Sequence, residues 1–302
     1  MDLPGEPAFR IGYTTRNLTL GMNTNHTLRL KSVADREKLR GLVKRNVSEL
    51  REILRWSAER GFRLFRVGQS FVPFASHPDF PYNWLEEHGE EIREVGDLAR
   101  SLDVRLSMHP GQFVAPASPN PEVSQRSLWE LRYTAQLLDL LGAEDGVMVL
   151  HVGGAYGDRK ATIQRLLAVL LPETAVLRYL ALENDERIWS TPETLEASRR
   201  LGVPMVLDVF HHGFLSGGLP YKEAVALAIS TWKTRGRNSR PKIHLSSQNP
   251  DKRAGAHDEF VRPEDTERLV SALYGTPEGG ADIMVEAKSS DLAALEVLKV
   301  LL

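Results

Sequence analysis

Residues 147–185 read VMVLHVGGAYGDRKATIQRLLAVLLPETAVLRYLALEND. A short apolar run ends in His151, a helical pattern follows from Asp158 to Leu171, and a second apolar run ends in Glu183. Two strands joined through a helix pair in parallel, since a parallel pair needs a crossover of a dozen or more residues. Working outward, the unit repeats. Strand candidates are Phe9–Thr15, Phe62–Gly68, Val104–His109, Val147–Val152, Leu180–Glu183, Pro204–Val209, Lys242–Leu245 and Asp282–Glu286. Helical patterns run over Asp35–Arg60, Trp84–Leu102, Pro121–Leu141, Asp158–Leu171, Pro192–Leu201, Tyr221–Trp232, Pro263–Tyr274 and Asp291–Leu301. Eightfold strand–helix alternation over 302 residues, with no long linker, predicts one α/β domain over residues 1–302, a (β/α)8 TIM barrel.

The strand ends carry the chemistry. SMHP ends in His109, VLHVGG carries His151, ALEND Glu183, VLDVFHH Asp208 and His211, KIHLSSQ His244, and MVEAK Glu286. A barrel gathers the carboxyl ends of its strands on one face, so these residues predict a polynuclear metal site there. The chain has no cysteine, which leaves imidazole and carboxylate as ligands, a set that suits Mn, Zn or Fe. Glu183 is the candidate bridge, with His109 and His151 on one side and Asp208, His244 and Glu286 on the other. His211, three residues past Asp208, can turn to a further ion. His257 is its candidate partner, or a surface loop residue. His212 reads as a supporting residue, and His26 and His88 as surface residues.

Net charge is −2, from 38 basic and 40 acidic residues, unlike a purely nucleic-acid-binding module. A local basic run, Arg235, Arg237, Arg240, Lys242, Lys252 and Arg253, reads either as a solvated loop or as a polyanion contact. No apolar run approaches the ~20 residues of a membrane span. The N-terminus MDLPGEPAFR lacks a basic region followed by an apolar stretch, so the cytoplasm is the expected location. Loops Leu18–Arg29, Gln69–Asn83 and Pro110–Asn120 are longer than a barrel needs, which suits substrate binding on a rigid scaffold.

Nearly end to end the chain carries GYTTRNLTLG (Gly12–Gly21), PFASHP (Pro73–Pro78), LSMHPGQ (Leu106–Gln112), LHVGGAYGD (Leu150–Asp158), LALENDER (Leu180–Arg187), LDVFHH (Leu207–His212), PKIHLSSQNP (Pro241–Pro250), AGAHDEF (Ala254–Phe260) and MVEAK (Met284–Lys288). In these motifs and their order it resembles the UV damage endonucleases, relatives of the endonuclease IV barrels. The resemblance implies a DNA repair enzyme that cuts damaged double-stranded DNA immediately 5′ to cyclobutane dimers and 6-4 photoproducts, and at abasic sites. The expected products are a 3′-hydroxyl and a 5′-phosphate, formed by a metal-activated water. It further implies three divalent ions, manganese foremost, with Zn or Fe as alternatives, on His109, His151, Glu183, Asp208, His211, His244, His257 and Glu286. Lys242 matches a family lysine that can be carboxylated beside the metals; an ordinary lysine contacting phosphate is the other reading. Tyr13, Asn17 and His77 match residues near the scissile phosphate or lesion. Read alone, they suit a core tyrosine, a turn residue and a surface histidine. Gln112 and Phe113 match the pair that probes the base stack, where the family usually has Gln-Tyr. Phe113 keeps the stacking face and lacks the hydroxyl; a buried loop anchor is its alternative. A monomer without an obligate protein partner is expected. Competing functions are an endonuclease IV-like abasic-site enzyme, a metal-dependent sugar isomerase or epimerase, and a damage-binding protein that does not cut.

Overall fold

The computed structural model describes residues 8–235 and 239–301. Arg237 of the basic run and both ends of the expected 1–302 domain lie outside the described residues. In chain order the strands are β1 (Phe9–Thr14), β2 (Arg16–Asn17), β3 (Met22–Asn23), β4 (Leu64–Val67), β5 (Arg105–Met108), β6 (Val147–His151), β7 (Leu180–Glu183), β8 (Met205–Asp208), β9 (Lys242–Leu245) and β10 (Ala281–Val285). Eight of them form a closed parallel barrel in the order β1-β4-β5-β6-β7-β8-β9-β10, while β2 and β3 make a small antiparallel hairpin above it. All eight sequence-predicted strands are present, shifted at their ends by no more than two residues. Closure depends on Gly12: a Cβ there would sit 2.0 Å from the Leu64 carbonyl oxygen of the neighbouring strand.

Helices α1 (Arg36–Glu59), α2 (Trp84–Ser101), α3 (Pro121–Leu140), α4 (Arg159–Leu170), α5 (Thr174–Tyr179), α6 (Thr191–Leu201), α7 (Val209–Phe214), α8 (Tyr221–Ser230), α9 (Pro263–Tyr274) and α10 (Ser290–Leu301) complete the chain. In α1 the periodic Leu39, Val43, Val47, Leu50, Ile53 and Leu54 are all buried, and Asp35 caps the start by accepting from the Lys38 N–H. Ser190 and Glu193 form a capping box on α6. The sequence reading did not contain α5, the β2–β3 hairpin or α7. Helix α7 starts directly after the last residue of β8, so Val209, read as the end of that strand, opens the helix.

The barrel interior is divided. Val147, Val149, Ala181 and Val206 form an apolar cluster with Trp232. The other half is ionic. Asp282 receives two hydrogen bonds from Arg10 (2.8 and 2.9 Å), one from Arg105 (2.8 Å) and one from Arg240 (3.0 Å). Burial alone would raise the Asp282 carboxyl; the Arg10 and Arg105 guanidinium groups outweigh it and hold it down at about 2.

Arg235 donates to the Gly146 and Leu180 carbonyls, and Arg240 to that of Ala8, all at the amino-terminal end of the barrel. The described members of the basic run therefore do not form one polyanion-binding surface. Arg235 and Arg240 brace the bottom of the barrel, Lys242 is buried inside it, and Lys252 and Arg253 reach the carboxyl face. Strand β9 separates the two groups. His88 is also buried rather than on the surface, with Nε2 3.2 Å from the Tyr82 hydroxyl. His26 is half-buried and pairs with Glu49 at 2.8 Å. Among the described residues no helix is long and apolar enough to cross a membrane.

Candidate metal centre

The carboxyl ends of β5 to β10 converge on Glu183. His109 Nε2 lies 2.9 Å and His151 Nε2 3.3 Å from Glu183 Oε2; His244 Nδ1 lies 2.5 Å from Oε1. Glu286 Oε1 is 3.0 Å from the same His244 nitrogen. Two groups of ligand atoms are close enough to share an ion: His109, His151 and Glu183, and Glu183, Asp208 and His244. Glu183 belongs to both, the position expected of a bridge. His211 and His257 extend the cluster. Ring centroids follow one another from His244 to His109 (6.3 Å), His151 (5.2 Å), His211 (5.8 Å) and His257 (6.0 Å).

Local backbone structure aims these groups. Asp208 closes β8 and caps α7, its Oδ1 accepting from the Phe210 and His211 N–H groups. That leaves Oδ2 buried without a hydrogen-bond partner. One helical turn brings His211 Nδ1 to 3.6 Å from Oδ2. Asn184 clamps the turn, donating to the Asp208 carbonyl (3.0 Å) and accepting from its N–H (2.9 Å). The sequence reading missed Asn184; its only signal was adjacency to Glu183.

The donor set fits divalent cations. His109, His211 and His257 each place Nδ1 on a backbone carbonyl, those of Pro110 (3.0 Å), Asn184 (3.1 Å) and Glu286 (2.6 Å). A carbonyl only accepts, so Nδ1 carries a proton and Nε2 is the nitrogen left to face a cation, the usual orientation of ligating imidazoles. For His109 that nitrogen faces a Glu183 oxygen at 2.9 Å, a pair that a shared proton or a metal ion would join. Electrostatics agree. Burial pushes the Asp208 carboxyl up to about 6, against the pull of His211. Burial disfavours charge on His211, but Asp208, Glu183 and Glu286 push it up to about 9. Burial likewise opposes the Glu183 charge, yet His244, His151 and His109 hold it well below the carboxylate range. His244 is depressed to about 4, first by burial. Three acids in one buried cluster call for cationic charge that the histidines supply only in part.

Arg66 was absent from the sequence reading. Strand β4 points it inward, where Nη2 lies 2.9 Å from His244 Nε2 and also bonds Glu286. Lys242 lies two residues before His244 on the same inner face, fully buried, with no partner for Nζ. Burial first, then Arg66 and Arg105, hold it well below the lysine range.

Other expected residues are not brought to the cluster. Tyr13 alternates away from inward-facing Arg10 and packs under α1. Its hydroxyl bonds Ser57 Oγ (2.7 Å) and accepts from Asn17 (2.8 Å), the setting of a core tyrosine. Asn17 is fully buried, its Oδ1 accepting from the Leu20 N–H, and secures the hairpin loop. His77 is half-buried and lines a neighbouring cavity of about 860 Å³. Gln112 and Phe113 are exposed, Phe113 by 67%, so Phe113 is no buried anchor. Both line the main cavity, about 920 Å³, where His109, His151, His211 and His257 also lie.

Comparison with known proteins agrees with this geometry. Residues 9–302 match the family described as UV-endonuclease UvdE. A "putative UV-damage endonuclease" of Acanthamoeba polyphaga mimivirus is 33% identical over 305 residues, covering 95% of this chain and 90% of that one. The crystal structure of SacUVDE superimposes with a TM-score of 0.89 at 32% identity, covering 97% of this chain and 98% of that chain. Endonuclease IV from Thermus thermophilus, at 15% identity with a TM-score of 0.60 over 96% of this chain and 97% of that chain, shares the fold alone. The same holds for D-psicose 3-epimerase from Clostridium cellulolyticum, at 15% identity with a TM-score of 0.52 over 78% and 79%.

Proposed function

This chain belongs to the UV-endonuclease UvdE family, and from that premise we propose that it cuts duplex DNA immediately 5′ to cyclobutane dimers and 6-4 photoproducts. Abasic sites are cut as well, and each cut leaves a 3′-hydroxyl and a 5′-phosphate. The observation that carries the reading is Phe113: a two-thirds exposed aromatic ring stands at the rim of an open cavity that the histidine cluster lines. A solvent-facing ring beside a catalytic cluster suits a stack of bases, since stacking on an aromatic face is worth ~1–3 kcal/mol per base. Photoproducts weaken pairing and stacking, so opening the duplex there costs less than opening it elsewhere. Gln112 and Phe113 fill the opened stack, and the phosphate 5′ to the lesion then falls over the cluster.

His109, His151 and Glu183 would hold one divalent ion, Asp208, His244 and Glu286 together with Glu183 a second, and His211 with His257 a third, manganese in our reading. Such ions supply Lewis acidity to the phosphodiester and activate water. The remaining work belongs to the chain. Glu183 fixes the separation of the two principal groups. Asn184 and the α7 turn orient Asp208 and His211. Arg66 holds His244 and Glu286 in place from the β4 side. Lys242, a buried amine without an acceptor, is suited to carboxylation, which would add an oxygen donor beside His244. His77 meets the DNA from the adjoining cavity.

The test is incision of an end-labelled duplex carrying one cyclobutane dimer, with Mn²⁺ or with chelator, alongside Glu183→Gln. One metal-dependent cut just 5′ to the dimer, lost in the variant, is expected. Cleavage of an abasic duplex alone would replace the proposal with an abasic-site enzyme, and silence on both would overturn it.

A further inference from the structure

Beside the metal cavity lies a smaller one of about 350 Å³, which shares Thr14, Thr15, Arg66, His257 and Glu286 with it and adds Arg16 and Lys288. Its charge balance is unusual. The Lys288 Nζ is out of contact with water and has no hydrogen-bond partner. The Lys252 ammonium lies beside it. Arg16 completes the group, donating from Nη2 to the Lys288 carbonyl at 2.5 Å. Among the described residues neither lysine nor Arg16 forms an ion pair. The nearest acids are otherwise engaged: Asp258 Oδ1 accepts from Asn249 and from the Glu259 N–H, and Glu259 accepts from Ser289.

Two ammonium groups side by side repel, and a buried donor without an acceptor is costly. The arrangement is nonetheless held from three directions. Lys288 and Ser289 donate backbone N–H groups to the Asp258 and Glu259 carbonyls, each at 3.0 Å. Ser290, at a positive φ of 46°, donates through Oγ to the Thr14 (3.1 Å) and Arg16 (2.7 Å) carbonyls. Asp291 accepts from the Leu18 and Thr19 N–H groups. Left-handed backbone at a non-glycine residue is strain that the surroundings must enforce, and such strain gathers at ligand clamps. A bound anion resolves the repulsion and supplies the missing acceptor together.

We infer that Arg16, Lys252 and Lys288 clamp one backbone phosphate of the DNA beside the metal cluster. The inference rests on the DNA-cutting role proposed above and adds a second point of contact. Phe113 follows β5, whereas Lys288 follows β10, so the stacking ring and the clamp approach from different sides of the barrel mouth. Contacts to phosphate set register while base contacts select. The spacing between ring and clamp then determines which phosphodiester lies over the ligands.

The experiment measures duplex binding by fluorescence anisotropy in chelator across a salt series. Dimer-containing and undamaged DNA are compared for the wild-type protein, Lys252→Met/Lys288→Met and Lys288→Arg, together with incision in Mn²⁺. For the double variant we expect ~10-fold weaker binding of both duplexes, a log–log salt slope smaller by about one, and cleavage at neighbouring phosphodiesters alongside the main product. Lys288→Arg, which keeps the cation, binds both duplexes with wild-type affinity and slope. An unchanged slope in a folded double variant overturns the clamp while leaving the photoproduct reading intact. A reduced slope in a protein that cuts no dimer supports the clamp and removes that reading. A wild-type protein that binds no DNA removes both.

Discussion

Truncating Phe113 to alanine tests the stacking reading directly. The ring is 67% exposed, so the protein already covers about a third of it. Burying a phenylalanine completely is worth about 1.5–3 kcal/mol, and covering the open two thirds under a base therefore about 1–2 kcal/mol. This falls within the ~1–3 kcal/mol measured for base–aromatic stacking. Phe113→Ala should then weaken binding to a dimer-containing duplex by ~5–30-fold. Undamaged duplex should change by less than about threefold, since its stack is not opened for the ring to enter. Phe113→Tyr should bind as wild type does. The assay is anisotropy of the two duplexes side by side, with a thermal melt to confirm that an exposed loop substitution moves stability by no more than ~0.5 kcal/mol. Equal losses on damaged and undamaged DNA, or a loss below about twofold on the dimer, would refute the argument, because the ring would then be a general contact or none.

Four further outcomes follow from the geometry. Asp282→Asn leaves three guanidinium groups facing a neutral amide in the barrel floor, and urea unfolding should show a loss of ~3–5 kcal/mol; a loss below ~1 kcal/mol would mean the arginines find other partners. Because the folded Asp282 carboxyl lies at about 2, below its ordinary 3.8, its contribution is complete above about pH 4 and is lost as pH falls towards 2. The wild-type stability curve should steepen in that window, and the asparagine variant should lack that component. Glu183→Gln removes the carboxylate shared by both ligand groups. Metal analysis after Mn²⁺ loading should therefore show a larger loss of bound ion than Asp208→Asn, which touches one group; the reverse order would exclude Glu183 as the bridge. Tyr13→Phe removes the hydroxyl bonded to Ser57 and Asn17. It should lower stability by ~0.5–1.5 kcal/mol without changing metal content, and loss of metal would return Tyr13 to the active centre.

The barrel and the convergence of most candidate ligands were legible in the sequence because both follow from local pattern. Short apolar runs alternating with amphipathic stretches specify strand and helix without knowledge of the partner, and a parallel barrel brings every strand's carboxyl end to one face. His109, His151, Glu183, Asp208, His244 and Glu286 therefore needed only their positions at those ends. Tertiary structure decided what position along a strand leaves open. Side chains alternate between the two faces of a strand, so Tyr13 turns to α1 while Arg10 turns to Asp282. Arg66 took its place beside His244 because closure of the barrel put β4 across from β9 and β10. The basic run shows the same limit on a longer scale. Arg240 and Lys252 are near in sequence, but β9 lies between them, and four residues at about 3.3 Å each carry the chain from the floor of the barrel to its mouth. Charge that is continuous along the chain thus becomes a brace for Asp282 at one end and part of the rim of the barrel mouth at the other, since a strand converts sequence distance into depth through the core.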